Sequence, residues 1–349
     1  MLKKLFMKRT TYLIIGVFLA IFLTNCKKTG RIDYYNSDAA APKQVTDVQV
    51  TATPGGAILT YKIPVDPSFS YAEADYEIQP GVFRQAKASY YMDTLRLVGF
   101  GDTLSHEVKI YSVGENERKS EPLSVKVSPL TPPVQSSFKS ISLVGTFGGV
   151  QVTFKNEAMA NLAIVVMDDT TGLGTWSIIQ TFYTGAAQGS FSIRGFDTTK
   201  RSFAVYIRDR WDNKSDTLIK SITPLFEEEI PKNTWSALEL PNDTYQPASS
   251  YVLEHLWDNN ITGYPAIFAS TNSSVLPQWF TIDLGVKVVI SRIVEHQAQP
   301  TTSHFYQGSA PKEVEIWGSN NPNKDGSWNS WDSLGTFESF KPSGLPMGQ

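Results

Sequence analysis

The chain has 349 residues, of which 41% are hydrophobic and 19% are charged, and this composition excludes a disordered polymer. Its 31 Lys and Arg residues against 34 Asp and Glu residues give a formal charge of -3, which does not favour a nucleic-acid partner. A single cysteine and four histidines exclude an internal disulfide and a Cys/His zinc site. A redox or thiolate-metal enzyme is therefore not expected.

The first 25 residues have the form of a secretory signal. Basic residues at Lys3, Lys4, Lys8 and Arg9 precede the uncharged stretch 12–23. This stretch is too short to span a bilayer as a helix, which takes about 20 residues, but it matches the apolar core of a signal peptide. The sequence therefore predicts export, with residues 1–25 removed.

The segment 23–26, Leu-Thr-Asn-Cys, resembles the lipobox of bacterial lipoproteins. In that family the cysteine becomes the first mature residue and is acylated on its sulfur and its amine. The resemblance implies lipidation of Cys26 and anchoring to the bacterial outer membrane, on its surface or periplasmic face. The alternative is an ordinary secretory signal with an incidental cysteine, because Asn25 stands where the family has Gly, Ala or Ser. Residues 26–42 are then expected to form a flexible tether.

Two segments of similar length carry the pattern of a β-sandwich. Short β-rich runs alternate with Gly and Pro turns, as in an antiparallel sandwich. The eight residues from Gly55, GGAILTYK, resemble the eight residues that begin 93 positions later at Gly148, GGVQVTFK. The pair Gly99-Phe100 is likewise repeated at Gly195. Such a repeat predicts two copies of one sandwich, at 43–130 and 134–226.

The first copy resembles a fibronectin type III domain. The resemblance is carried by Pro42, the strand at 58–64, the step at 97–100 before a strand that begins at His106, and the segment 120–122 before the last strand. It implies two tandem immunoglobulin/fibronectin III-like sandwiches. We expect these two domains to serve as a stalk.

The last third of the chain has a different composition. Six of the eight tryptophans and three of the four histidines lie beyond residue 234. Alternating apolar and polar residues predict strands at 278–285 and 311–319, with a further strand at 286–294. Together with the segments 256–262 and 331–335, these phrases resemble a discoidin domain, also called the coagulation factor five/eight type C domain, which is similar to carbohydrate-binding module family thirty-two.

The discoidin resemblance implies an eight-stranded jelly roll whose loops at one end hold a small glycan or a similar ligand. The range 233–349 is short for such a domain, so we expect its C-terminal strands to be missing and the sequence to be a fragment of a longer reading frame or a defective gene copy. Trp257 and Trp279 are expected in the core or the wall of the fold.

The segment 295–308 mixes the side chains that sugar recognition uses. Aromatic faces pack against sugar C–H groups, and polar side chains satisfy the hydroxyl groups. The alternative is a solvated loop with scattered polar groups. The predicted ligand-binding residues are His296, Gln297, His304, Tyr306, Trp328 and Trp331.

The discoidin resemblance also implies a structural calcium ion on an Asp-x-Asn-x-Thr loop. Asp258, Asn260 and Thr262 supply oxygen donors, which hard cations prefer. Asn259 stands where the family usually has Gly, and Asn tolerates the left-handed backbone conformation.

These observations favour a non-catalytic, lipid-anchored glycan-binding protein that captures polysaccharide or oligosaccharide. It resembles the surface or periplasmic lipoproteins that Bacteroidota place beside polysaccharide-uptake systems. The alternative is a structural or adhesion lipoprotein whose discoidin-like module docks onto an outer-membrane uptake protein. An enzyme is not expected, because no segment suggests a cleft with a carboxylate pair or a Gly-x-Ser-x-Gly nucleophile turn.

Overall fold

The computed structural model describes residues 38–261, 266–298, 306 and 310–341, and within them the architecture is all-β. Contacts divide the chain into two compact units. The first unit comprises residues up to 143 with 152–191 and 201–221, and the second comprises 144–151, 192–200 and the residues from 222 onward. None of the helices in the described residues is long and apolar enough to cross a membrane.

The first sandwich has seven strands in two antiparallel sheets. These are β1 (Thr46–Thr53), β2 (Gly56–Lys62), β3 (Phe69–Gln79), β4 (Val82–Ser89), β5 (Thr94–Val98), β6 (His106–Gly114) and β7 (Leu123–Val127). One sheet has the order β1-β2-β5 and the other β4-β3-β6-β7. Alternate residues face inward, so that Leu59 and Leu97 of one sheet and Ala74, Tyr76 and Ile110 of the other form a buried core.

The second sandwich repeats this strand order. A short helix α1 (Pro133–Phe138) leads into β8 (Ser142–Thr146), β9 (Gly149–Lys155), β10 (Leu162–Asp169), β11 (Trp176–Thr184), β12 (Gln188–Arg194), β13 (Arg201–Arg208) and β14 (Leu218–Ile222). The sheets have the orders β8-β9-β12 and β11-β10-β13-β14. The all-β prediction of two tandem fibronectin III-like sandwiches is therefore confirmed.

The repeated Gly-Gly motif has the same structural cause in both copies. Gly55 and Gly148 both adopt φ = 62°, a left-handed conformation that favours glycine at the turn. A Cβ atom on Gly56 would lie 2.3 Å from the carbonyl oxygen of Leu97, and one on Gly149 would lie 1.8 Å from that of Ile193. Each pair thus combines a turn residue with a site of close backbone approach.

A loop of the second sandwich contacts the first sandwich within the first compact unit. Gln79 at the end of β3 donates its Nε2–H to Asn213 Oδ1 at 2.7 Å and to the carbonyl oxygen of Trp211 at 3.2 Å. Asn213 is buried, and its Nδ2–H donates to the carbonyl oxygen of Gly99 at 3.0 Å. This network joins the two sandwiches through side-chain hydrogen bonds, of which the bond from Asn213 to Gly99 is buried.

The last third has four strands in its described residues, fewer than the eight of the jelly roll that the discoidin resemblance implies. β15 (Ser236–Leu238) pairs with β16 (Thr281–Asp283), and β17 (Glu313–Gly318) pairs with β18 (Asp332–Glu338). The prediction of a strand at 286–294 is wrong, because none of the strands in the described residues pairs with that run. The eight-stranded jelly roll remains a prediction.

Candidate functional site

The structure separates the predicted ligand-binding residues along the β17–β18 hairpin. Gln297 and Tyr306 lie near Ser339, whose backbone N–H donates to the carbonyl oxygen of Lys312 at one end of the hairpin. Trp328 contacts Trp317 at the other end. Trp317 lies five residues after Lys312 along β17, which corresponds to about 16 Å. The described members of the predicted set therefore do not form one site.

Three tryptophan rings meet at one end of the hairpin. The ring of Trp328 lies edge-to-face against Trp279, with centroids 4.7 Å apart, and against Trp317, with centroids 5.0 Å apart. Trp328 is 39% exposed, whereas the other two rings are partly buried. We call Trp279, Trp317 and Trp328 the tryptophan cluster. Edge-to-face packing fixes the orientation of Trp328 while part of its ring stays open to solvent.

Backbone and side-chain hydrogen bonds order the 319–331 loop that carries Trp328. Asn323 donates its Nδ2–H to Ser327 Oγ at 2.9 Å and to Asn329 Oδ1 at 2.7 Å. The backbone N–H of Ser327 donates to Asp325 Oδ1 at 3.0 Å. This bond and the bond from the Ser327 hydroxyl hold the pKa of Asp325 below its ordinary value. The loop thus places amides, hydroxyls and a charged carboxylate next to Trp328 in the chain.

Trp317 is the member of the cluster that the sequence analysis missed. It is the penultimate residue of β17, and its Nε1–H donates to Glu315 Oε2 at 3.2 Å. The signal was present, because Trp317 lies near the end of the alternating strand predicted at 311–319 and an Asn- and Ser-rich segment follows. A strand end beside a polar loop is a common place for binding residues.

Trp331 has a different setting from Trp328. Its Nε1 atom is buried and has no hydrogen-bond partner among the described residues. Its backbone N–H donates to the carbonyl oxygen of Trp328 at 3.1 Å and closes the short 3-10 helix Trp328–Ser330. Because the polar edge of its ring is turned inward, we assign Trp331 to the wall of the fold rather than to the rim of a site.

Gln297 has a structural role in the described chain. Its Oε1 accepts the backbone N–H of Tyr306 at 2.9 Å, and its Nε2–H donates to Ser339 Oγ at 3.1 Å. Tyr306 is partly buried and His296 is exposed. His304 lies outside the described residues. The amide of Gln297 therefore holds together two segments of the chain and is not free to bind a ligand.

The predicted calcium loop has its carboxylate engaged within the protein. Asp258 Oδ2 lies 2.9 Å from His255 Nδ1, and Asp258 Oδ1 accepts the backbone N–H of Asn260 at 2.7 Å. Asn259 has φ = 65°, the left-handed conformation expected of the residue in a glycine position. No cluster of three His, Cys, Asp or Glu side chains suited to a metal occurs in the described ranges, and Thr262 lies outside them. The carboxylate of Asp258 is therefore already bonded within the protein, and the calcium ion stays a prediction.

The anchoring residue cannot be placed in the fold. Cys26 and residues 27–37 of the predicted tether lie outside the described residues, whereas 38–42 lie within them. Pro42 is buried, and Asn116 Nδ2–H donates to the carbonyl oxygen of Ala39 at 2.9 Å. The part of the tether next to the first sandwich is thus held against that domain.

A second surface with an exposed ring lies on the first sandwich. A shallow concavity of about 500 Å³ is lined by Asp75, Phe83, Arg84 and Gln85 on β3 and β4. Phe83 is 72% exposed, and Asp75 Oδ1 has no hydrogen-bond partner among the described residues. The surface offers a single ring, in contrast to the three packed rings of the tryptophan cluster, and serves below as the comparison surface.

Comparisons with known proteins place the chain in a family. Three family models match it in succession: a domain of unknown function (DUF4959) at 42–129, a domain of unknown function (DUF5126) at 130–233 and a domain of unknown function (DUF5000) at 257–349. No curated protein matches. The solved structure titled SusE-like protein BT2857 is 32% identical, covers 62% of this chain and is itself covered to 80%. The chain belongs to the SusE-like proteins.

Two other solved structures match parts of this SusE-like chain. A two-domain fibronectin type III segment of chicken tenascin is 14% identical over 52% of the chain and 99% of that segment, with a TM-score of 0.25. Domains FN1–FN3 of chicken CNTN1 are 10% identical over 60% and 77%, with a TM-score of 0.23. The TM-score to the SusE-like structure is 0.34. Since all three scores are below 0.5, the family rests on sequence identity and the fold on the strand orders.

Proposed function

We propose that this SusE-like protein is a non-catalytic, lipid-anchored protein that binds a glycan at the bacterial cell surface. The tryptophan cluster is the observation that carries the proposal, because Trp328 presents a partly exposed ring held by two others. Sugar rings pack their C–H faces on such rings. Bonds within the loop engage the Asn323 Nδ2–H, the Ser327 hydroxyl and Asn329 Oδ1, so the groups suited to hydrogen-bond sugar hydroxyls are Asn323 Oδ1 and the Nδ2–H of Asn329, both on exposed residues.

The proposed mechanism is capture by many weak contacts. A shallow aromatic surface binds a short stretch of glycan weakly, but a long polymer offers the same stretch many times. Acylation of Cys26 confines the site to the membrane and raises its effective concentration against such a polymer. The two sandwiches, joined through Gln79 and Asn213, act as a stalk for the C-terminal module. The discoidin-like identity of that module is part of the proposal, and structural calcium is not.

A second candidate function is docking onto an outer-membrane uptake protein. The run 286–294 favours it, because this apolar segment pairs with no described strand and Val289 is 80% exposed. Exposed apolar surface of this kind marks interaction sites. In this alternative an edge strand of the partner would pair with the run by β-augmentation.

A glycan array combined with a pulldown from outer membranes separates the two functions. Glycan binding predicts a signal on the array that the Trp328→Ala variant loses and the Phe83→Ala variant keeps. A silent array would reject glycan binding. Recovery of one outer-membrane protein, abolished by Val289→Asp, would then support the docking function.

A further inference from the structure

The chain enters the first sandwich at one end of that domain. The backbone N–H of Lys43 donates to Asp66 Oδ2 at 2.8 Å, in the loop between β2 and β3. Asn116, in the loop after β6, donates to the carbonyl oxygen of Ala39. The segment that leads from Cys26 is thus attached to the end of the sandwich formed by these two loops.

A third loop, at 90–93, lies at the same end. Tyr61 lies just before the β2–β3 loop, and its backbone N–H donates to the carbonyl oxygen of Asp93 at 2.9 Å. Ser70 lies just after that loop, and its carbonyl oxygen accepts the backbone N–H of Tyr90 at 3.0 Å. The hydroxyl of Tyr61 also donates to the carbonyl oxygen of Met92 at 2.8 Å. The 90–93 loop is therefore fixed beside the β2–β3 loop.

These two loops carry four exposed side chains of apolar or aromatic character, Val65, Tyr90, Tyr91 and Met92, which we call the tether-end patch. Val65 is 94% exposed and Tyr91 is 79% exposed. The Tyr90 and Tyr91 rings are in contact, with centroids 3.9 Å apart. Because the bonds above hold the backbone N–H of Tyr90 and the carbonyl oxygen of Met92, the 90–93 part of the patch projects from an ordered loop.

We propose that the tether-end patch rests in the interface of the lipid bilayer to which Cys26 is anchored; this inference depends on the lipid anchoring in the proposed function. Tyrosine is enriched at membrane–water interfaces, where its apolar ring and polar hydroxyl meet both phases. Val65 and Met92 are suited to shallow insertion beside the headgroups. The patch lies at the end of the sandwich that the anchored segment reaches.

The length and charge of the anchored segment suit this placement. Asp38 lies twelve residues after Cys26 in the chain, which allows a separation of at most about 43 Å. Lys27, Lys28 and Arg31 lie in this segment and attract anionic headgroups. Of the acidic groups at this end, Asp66 accepts bonds from Lys43 and Ser68, Glu117 accepts one from the hydroxyl of Tyr71 and Asp93 accepts one from the hydroxyl of Thr94, while Glu115 is exposed in the loop after β6.

Spin labels on the acylated full chain test this inference in vesicles of phosphatidylethanolamine and phosphatidylglycerol. Tyr91→Cys reports on the patch, and Leu104→Cys is the matched control, because Leu104 is 67% exposed in the loop after β5, at the opposite end of the sandwich. We expect the ratio of oxygen to nickel-chelate collision rates to be several-fold higher at position 91 than at position 104. A Val65→Cys label should behave like the label at position 91.

Two results have different meanings. Equal collision ratios at positions 91, 65 and 104 on vesicle-bound protein would overturn the bilayer contact while leaving the anchoring intact. Uptake of label by the parent chain, whose one cysteine is Cys26, would show a free thiol and overturn both the anchoring and the inference. Far-ultraviolet circular dichroism confirms that each variant is folded before it is measured.

Discussion

Gln79 and Asn213 lie in different sandwiches and are joined by a hydrogen bond of 2.7 Å from Gln79 Nε2 to Asn213 Oδ1. Asn213 also bonds to Gly99 of the first sandwich and, through Nδ2, to Asp209 Oδ2 of its own loop at 2.9 Å. One buried amide thus satisfies groups on both domains.

Replacing Asn213 should destabilise the chain. Asn213→Ala leaves the carbonyl oxygen of Gly99 and the amide of Gln79 without these partners, so we expect the free energy of unfolding to fall by about 1–3 kcal/mol. Urea denaturation measures the change. The control is Asp212→Asn, since the side chain of Asp212 is 71% exposed in the same loop and Asn tolerates its left-handed backbone, with φ = 63°. Equal stability of the two variants would contradict the proposed role of this junction.

Glu73 should make the stability of the first sandwich depend on pH. Its buried carboxylate on β3 pairs with Lys119 and with Lys87, whose Nζ lies 2.9 Å away. Desolvation raises the pKa of Glu73, but hydrogen bonds from the two lysines outweigh it and hold the pKa below its ordinary value of 4.5. A carboxylate whose pKa is lower in the folded state stabilises the fold at pH values above its unfolded-state pKa. This contribution to stability is lost as the pH falls through the folded-state pKa.

We therefore expect Glu73→Gln to lower the free energy of unfolding by about 1–3 kcal/mol at pH 7, with the difference from the parent shrinking below pH 4.5. Urea denaturation at several pH values checks this, with the exposed Glu107→Gln as the control. A difference in the free energy of unfolding that grows as the pH falls would contradict the lowered pKa of Glu73.

Gln297 should behave as a structural residue rather than as a ligand-binding one. Gln297→Ala removes the bonds to Tyr306 and Ser339, so we expect unfolding to become easier by about 1 kcal/mol. Glycan binding by the folded variant should remain at the parental level. Loss of binding without loss of stability would restore the sequence-based assignment of Gln297 to the site.

Calcium should leave the melting temperature unchanged. Both oxygens of Asp258 already bond within the protein, to His255 and to the backbone of Asn260. Differential scanning fluorimetry in calcium and in EDTA measures the effect. A rise in calcium that Asp258→Ala abolishes would instead support the ion implied by the discoidin resemblance.

The sequence predicted the two sandwiches because their strands carry local signals that repeat. The motif from Gly55 and its copy from Gly148 record the same turn and the same close backbone contact. The run 286–294 is also rich in β-forming residues, but no described strand pairs with it. Strand pairing depends on a second segment and cannot be read from one segment alone. Trp317 joined the candidate site only through its contact with Trp328, which is 11 residues away in the chain.

The binding affinity of the Trp328→Ala variant tests the central claim most directly. Affinity electrophoresis in gels of starch, dextran, xylan and pectin identifies a polysaccharide that retards the parent chain, and migration at graded polymer concentrations gives the dissociation constant. Loss of the exposed ring should weaken binding about tenfold, which corresponds to about 1.4 kcal/mol. Phe83→Ala, the matched aromatic change on the first sandwich, should bind like the parent. Unchanged binding by folded Trp328→Ala would contradict the account.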